Sequence, residues 1–192
     1  MIRLVLASTS TYRRRLLERL RVPFACRAPG VDEAPVKAAA ATPRAAAIEL
    51  ARRKALAVAA GERDAIVIGS DQCAVLGDEL LDKPGDAARA IEQLQRMQGR
   101  THELVTAVAI AHPHGLVEFV DTTRLTMRPL DRAAIERYVA AEQPFDCAGS
   151  YKIEGLGIAL FAAIASDDQS AIEGLPLLRV CAELRALGCA LP

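Results

Sequence analysis

Three groups of polar residues have types and spacing that could do chemistry on an anion. The first is Ser8-Thr9-Ser10-Thr11-Tyr12-Arg13-Arg14-Arg15, directly after the apolar stretch 2–7. Its serines and threonines are N-cap residues, so the stretch reads as a strand-to-helix junction. A helix start presents unpaired N–H groups and a positive dipole end, which arginines oppose unless an anion lies between them. Guanidinium forks match phosphate oxygens in bidentate fashion, which makes a triphosphate the obvious anion. A solvated basic helix face would give the same pattern, and on these residues alone the two readings balance.

The second group is Gly69-Ser70-Asp71-Gln72, placed after the apolar stretch 65–69. Polar residues crowded at the C-terminal end of a buried strand often belong to a site. A carboxylate there could hold a divalent cation or take a proton from water, although a lone aspartate more often bonds its own turn. Glu33, in a segment punctuated by Pro35, is a second metal carboxylate or simply a surface residue; unaided, the surface is favoured. The third group is the lysines, Lys54 on a predicted helix and Lys83 in Leu81-Asp82-Lys83-Pro84. Each could neutralise phosphate charge, yet most lysines are merely solvated. His112 and His114 fall on a predicted hairpin tip and His102 stands apart, without metal-ligand spacing. No phosphate-loop or nucleophile-elbow motif is present.

The elements that must position these residues alternate. Strands are expected at 2–7, 24–28 and 65–69, a tight hairpin at 74–81, long antiparallel strands at 103–111 and 117–127, and a strand at 158–164. A helix follows Ser10 with Leu16, Leu17 and Leu20 inward. A long helix starts at Thr42-Pro43 with Ile48, Ala51, Ala55, Leu56 and Ala59 inward. Further helices begin at Asp86, at Asp131 and near Leu175-Pro176. Residues 31–35 read as irregular, and the alanine run 38–41 as mobile. The pattern predicts an α/β fold with a mixed sheet, and a cleft where strands deliver their C-terminal ends.

Composition narrows the function classes. The 192 residues suit a single domain, or at most two lobes sharing one cleft. Twenty-four basic and 24 acidic residues cancel, so nothing points to long nucleic acid or a membrane surface. No stretch approaches the roughly 20 apolar residues of a membrane span. Five scattered cysteines without a C-x-x-C pair favour buried free thiols in a reducing compartment, so a cytoplasmic location is expected. The sequence sets no oligomeric state; a homodimer is compatible with it.

Taken together, the set resembles the Maf family of nucleotide pyrophosphatases. The matching pieces are Leu6-Ala7-Ser8-x-Ser10-x-x-Arg13-Arg14, Val31-Asp32-Glu33, Ala51-x-x-Lys54-Ala55, Gly69-Ser70-Asp71, Asp82-Lys83-Pro84, Ala148-Gly149-Ser150 through Glu154-Gly155, and Gly174-Leu175-Pro176. They run in order across nearly the whole chain. The resemblance implies an elongated mixed sheet with flanking helices, two lobes around a nucleotide-binding cleft, and cleavage of a nucleoside triphosphate between its α- and β-phosphates. It implies Asp71 as proton acceptor, Ser8, Arg13, Arg14, Lys54 and Lys83 as phosphate-binding residues, and Glu33 with Asp71 as ligands of Mg²⁺ or Mn²⁺. Thr11 departs from the family, which usually has proline there; no functional group is lost.

Tyr12, Gln72 and Glu154 occupy the positions that vary with the base. An aromatic, a glutamine and a glutamate resemble the subfamily acting on 7-methyl-GTP, whereas members acting on dTTP and UTP usually carry arginine, threonine and glutamine. Methylation at N7 makes guanine a cation. A carboxylate on the order of 6 Å from that charge, at an effective dielectric of about 20, gains roughly 3 kcal/mol before screening. Cation–π contact with Tyr12 adds about 0.5–2 kcal/mol. Hydrogen bonds from Glu154 to the guanine edge do not discriminate, because GTP offers the same edge. A pyrophosphatase for UTP, dTTP or another modified nucleotide stays open at this point, as does a non-catalytic nucleotide-binding regulator of cell division.

Overall fold

The first strand, β1 (Arg3–Leu6), is the apolar run expected at the start of the chain, and its last three residues are fully buried. The computed structural model describes residues 3–62 and 64–192, so Ile2, counted into that run, lies outside the described residues. Ser10 caps α1 (Thr11–Glu18), its side chain accepting from the Arg13 amide. Thr11 therefore starts the helix without the family's proline. β2 (Phe24–Cys26) stops two residues short of the expected end.

Residues 31–33 are irregular as expected, but the segment that follows is not. Residues Ala34–Ala39 form the short helix α2, with Pro35 in its first turn. Proline is tolerated there because its missing N–H would be unpaired anyway, and the alanines that follow are the best helix formers. Thr42 caps α3 (Pro43–Ala59) as expected. Its buried face, however, is Ala46, Ala47, Leu50, Ala51, Lys54, Ala55 and Val58; Leu56, expected inward, is 46% exposed. Lys54 thus lies on the inward stripe.

β3 corrects a boundary that matters more. It runs Ala65–Leu76, so Asp71 sits within the strand rather than beyond its end. Strand residues alternate between faces. Gly69 faces α3, where a Cβ would lie 2.4 Å from the Ala51 carbonyl oxygen and 2.5 Å from the Ala55 nitrogen. Ile66 and Ile68 face the other way, into a core with Leu6, Leu16, Leu17, Val180 and Leu184. Burying each such side chain contributes about 1.5–3 kcal/mol.

β4 (Glu79–Leu81) closes the expected hairpin on β3. Asp86 caps α4 (Ala87–Met97), β5 (Thr101–His112) and β6 (Gly115–Met127) are the long strands, and Asp131 caps α5 (Arg132–Glu142). A 3-10 turn over Leu156–Leu160 takes the place of the first residues expected in the late strand, so β7 spans Phe161–Ala165. α6 (Leu177–Ala186) follows Pro176. The strand order is β2-β1-β3-β5-β6-β7, with β4 on β3. β1 pairs in parallel with β2 and β3, whereas β6–β7 is antiparallel, giving the mixed α/β sheet expected from the alternating elements.

The chain divides into two compact units, one of Met1–Gln72, Thr106–Asp121 and Asp168–Pro192, the other of Cys73–Val105 and Thr122–Asp167. All five cysteines are free thiols, of which only Cys73 is buried, contrary to the expectation that all would be. Among the described residues no helix is long and apolar enough to cross a membrane.

Candidate functional site

In the first unit, the Lys54 ammonium lies 2.6 Å from Asp71 Oδ1 and 2.6 Å from Glu33 Oε1. Three separate pieces of chain deliver these groups: the mid-portion of α3, the middle of β3, and the residue preceding α2. Gly69 makes the approach of α3 to β3 close enough, since any side chain there would strike helix backbone. Asp71 is 7% exposed. Burial pushes its carboxyl above the ordinary aspartate range, and the Lys54 charge and hydrogen bond, helped by Arg13, offset only part of that rise. At Glu33 burial also pushes upward, but the hydrogen bonds and charges of Lys54 and Lys37 prevail and hold the carboxyl low. Two carboxylates in one cluster are thereby set apart, one as the better base.

Arg13 turns inward from the first turn of α1 and donates from Nε to the Gly174 carbonyl at 3.0 Å. Burial lowers its pKa, and the nearby charges of Asp71 and Glu33 oppose that fall; the guanidinium stays charged. Ser8 is buried, and its hydroxyl accepts from the Ser10 amide at 3.1 Å, fixing the junction ahead of α1. Arg14 behaves differently, pairing with Glu18 at 2.9 Å on the exposed side of the helix. Tyr12 is half-buried on the same turn. Gln72, half-buried, donates from Nε2 to Thr106 Oγ1, the Ala171 carbonyl and the Ile172 carbonyl. The structure thus gathers Asp71, Lys54, Glu33 and Arg13.

Lys83 and Glu154 belong to the second unit. Lys83 is exposed between β4 and α4, with its neighbours held on both sides. The Gly85 amide donates to the Phe145 carbonyl at 3.0 Å, and buried Gln93 donates to the Asp82 carbonyl at 3.1 Å. Gln93 in turn accepts from Ser150 Oγ at 2.5 Å. Ser150 sits at φ +60°, a left-handed conformation that costs a non-glycine residue energy and that delivers its hydroxyl to Gln93. Glu154 is exposed in a turn closed by the Gly155 and Gly157 amides on the Lys152 carbonyl. The Glu142 carboxylate accepts from the Leu156 amide at 2.8 Å and braces the same turn.

Sequence reasoning missed Gln93, Thr106 and the pair Asp168–Ser170. Gln93 gave a signal, a polar residue in the inward register of Ala90, Leu94 and Met97. Asp168 gave none; it accepts from the Ser170 amide and hydroxyl and from the Leu178 amide, organising the approach to α6. His102, left apart, is buried, bonded through Nε2 to the Tyr151 hydroxyl at 2.8 Å, and its pKa is held down to about 4 by burial.

Known proteins resemble this chain along its whole length. A 7-methyl-GTP pyrophosphatase from Xanthomonas oryzae pv. oryzae is 50% identical over 192 residues, covering 100% of both chains. One from Polaromonas sp. is 50% identical over 190 residues, 98% of this chain and 86% of the relative. Among solved structures, the Staphylococcus aureus Ham1 protein aligns at TM-score 0.53 with 16% identity, covering 95% of this chain and 99% of that one. A nucleoside-triphosphatase / dITP/XTP pyrophosphatase from Mycobacterium abscessus aligns at 0.50 with 15% identity, covering 100% and 98%. These two share the fold. The pattern of the Maf-like protein family matches residues 3–187, and the chain belongs to that family.

Proposed function

We propose that the chain hydrolyses a nucleoside triphosphate between its α- and β-phosphates, with 7-methyl-GTP the preferred substrate. The observation that carries this reading is the Lys54-bridged pair of Asp71 and Glu33 beside the inward-turned Arg13. The 7-methyl-GTP pyrophosphatases that are half identical over the full length support the choice of substrate.

Asp71 is the proton acceptor. Lys54 takes Oδ1, so Oδ2 is the atom that receives the proton from water as the water attacks the α-phosphorus. The raised pKa of Asp71 makes it a stronger base than an exposed aspartate. Arg13 and Lys54 stabilise the leaving pyrophosphate; Arg14 joins them by releasing Glu18, and Ser8 adds a hydroxyl at the helix start. The family resemblance assigns phosphate binding to Lys83 as well. Asp71 and Glu33 fit a divalent cation: two hard oxygen donors converge on one cationic group, Lys54, and Mg²⁺ is typically held by one or two carboxylates plus substrate phosphates. Mg²⁺ or Mn²⁺ held there would supply Lewis-acid offset of the charge developing on phosphate oxygens. The family resemblance assigns base recognition to Tyr12 and to Glu154. Gln72, whose amide nitrogen is committed within the fold, contributes through what it holds.

The experiment is a panel of 7-methyl-GTP, GTP, UTP, dTTP and ATP, with pyrophosphate release measured with and without Mg²⁺. The fastest release is expected from 7-methyl-GTP. Faster release from UTP or dTTP would reassign the substrate, and tight nucleotide binding without turnover would overturn the hydrolase reading.

A further inference from the structure

Gln93 is an amide on the apolar face of α4, buried in the register of Ala90, Leu94 and Met97. A buried amide costs stability unless its hydrogen bonds are made. Gln93 makes one at each end. Its Nε2 donates to the Asp82 carbonyl at 3.1 Å, and its Oε1 accepts from Ser150 Oγ at 2.5 Å. A carbonyl oxygen only accepts, so the nitrogen end faces Asp82 and the oxygen end is left for the hydroxyl. Ser150 is fully buried, and it follows Gly149 in a pair of left-handed residues, at φ +60° and +78°. The serine holds that costly conformation where its hydroxyl meets the Gln93 oxygen. One side chain of α4 thus bridges the 82–85 segment and the 148–150 turn.

The Asp82 carbonyl belongs to the peptide plane that carries the Lys83 nitrogen. That plane is rigid, so a hydrogen bond on its oxygen fixes the direction in which the chain enters Lys83. On the far side, Pro84 is buried and restricts the backbone of the residue before it. The Gly85 amide then donates to the Phe145 carbonyl at 3.0 Å. Residues 82–85 belong to no helix or strand, so these constraints do for Lys83 what α3 does for Lys54. Of the three, the Gln93 bond is the one made by a side chain from outside the segment.

We infer that Gln93 is a positioning residue for Lys83, with Ser150 orienting its amide. This rests on the reading of Lys83 as a phosphate-binding residue. A lysine is a point charge on a flexible stem, so its hold on a phosphate depends on where its backbone is anchored. Loss of the Gln93 donor frees the Asp82–Lys83 peptide to rotate, and the hold weakens.

The test uses the full chain carrying Gln93→Met, which keeps volume and removes donor and acceptor, Ser150→Ala, which removes only the hydroxyl, and the two together. KM and kcat are measured for 7-methyl-GTP, with inorganic tripolyphosphate as a base-free competitor and a thermal melt of each variant. Gln93→Met is expected to raise KM and the tripolyphosphate inhibition constant by about tenfold. Ser150→Ala should move both in the same direction by less. The double variant separates positioning from packing. With both partners of that contact apolar, its melt should recover toward wild type while tripolyphosphate binding stays as weak as in Gln93→Met. In a Lys83→Ala background the Gln93→Met effect should vanish, because residues that act as a unit are not additive. Wild-type tripolyphosphate inhibition in Gln93→Met would overturn the inference, as would full additivity with Lys83→Ala or a binding loss that follows the melt across the variants. Should Gln93→Met fail to give a cooperative melt, Ser150→Ala decides by the same readouts, alone and with Lys83→Ala. If Lys83→Ala itself leaves tripolyphosphate binding at the wild-type value, the phosphate role of Lys83 fails and the inference falls with it. If Lys83→Ala weakens binding and Gln93→Met does not, the inference alone fails. If wild-type protein binds tripolyphosphate but cleaves no nucleotide, the proposed function fails while this inference is still read from binding.

Discussion

Lys54 and Asp71 form a buried ion pair at 2.6 Å, and the same ammonium reaches Glu33. Removing one member of such a cluster leaves an uncompensated charge with little water to solvate it. Asp71→Asn keeps the shape while removing the base, and Glu33 still pairs with Lys54, so the variant is expected to lower kcat by about 10³-fold or more with the thermal melt little changed. Lys54→Met is expected to lower both activity and stability, since two carboxylates then face each other. Pyrophosphate release and thermal unfolding of both variants check this; wild-type turnover in Asp71→Asn would remove Asp71 from the chemistry.

Gly69 predicts a long-range effect of one methyl group. A Cβ there meets helix backbone at 2.4 Å and 2.5 Å, and backbone cannot swing aside as a side-chain tip can. Gly69→Ala should force α3 away from β3 and draw Lys54 off Asp71. The expected outcome is a loss of about 3 kcal/mol in stability, at the upper end for overpacking, together with reduced kcat. Denaturant titration beside a kinetic assay tests it.

His102 predicts a pH dependence of stability. Its folded pKa is about 4, against an ordinary value of 6.5, because burial disfavours the charged ring. Between those values the unfolded chain binds the proton and the folded chain does not. Stability is therefore complete above pH about 6.5 and is lost as pH falls toward 4, by up to about 3 kcal/mol. His102→Phe should flatten that limb in urea midpoints measured from pH 7.5 to 4.5, at the cost of the Tyr151 hydrogen bond.

Glu154 tests the charge argument for the base. Glu154→Gln keeps hydrogen-bonding capacity and removes the charge, so it should reduce the preference for 7-methyl-GTP over GTP by on the order of tenfold, less if water screens the site. Glu154 is solvent-exposed in its turn, so the effect should shrink further at high salt. An unchanged ratio of kcat/KM values would dismiss the carboxylate as a determinant.

Local signals made most elements legible. Ser10, Thr42, Asp86 and Asp131 each cap the helix expected of them, because a cap is read within three residues. The failures came where distant partners decide. Ser70 and Gln72 read as the end of a strand because they are polar, yet their hydrogen bonds go to carbonyls about a hundred positions away, and β3 continues through them. The basic run 13–15 read as one unit, whereas only Arg13 finds the Gly174 carbonyl and Arg14 turns to Glu18. Lys54, a weak signal in sequence, proves to sit on the buried stripe of α3 once Gly69 brings that helix down.

The alternation along β3 also limits how this gene can vary. Ser70, Asp71 and Gln72 are neighbours whose partners lie on opposite sides of one sheet, so a deletion just upstream would swap hydroxyl and carboxylate between helix and loop in a single stroke. Point changes here can be graded, but a shift in reading position of one codon's worth cannot. An insertion or deletion within residues 65–72 would therefore have to rebuild both sides of the sheet at once.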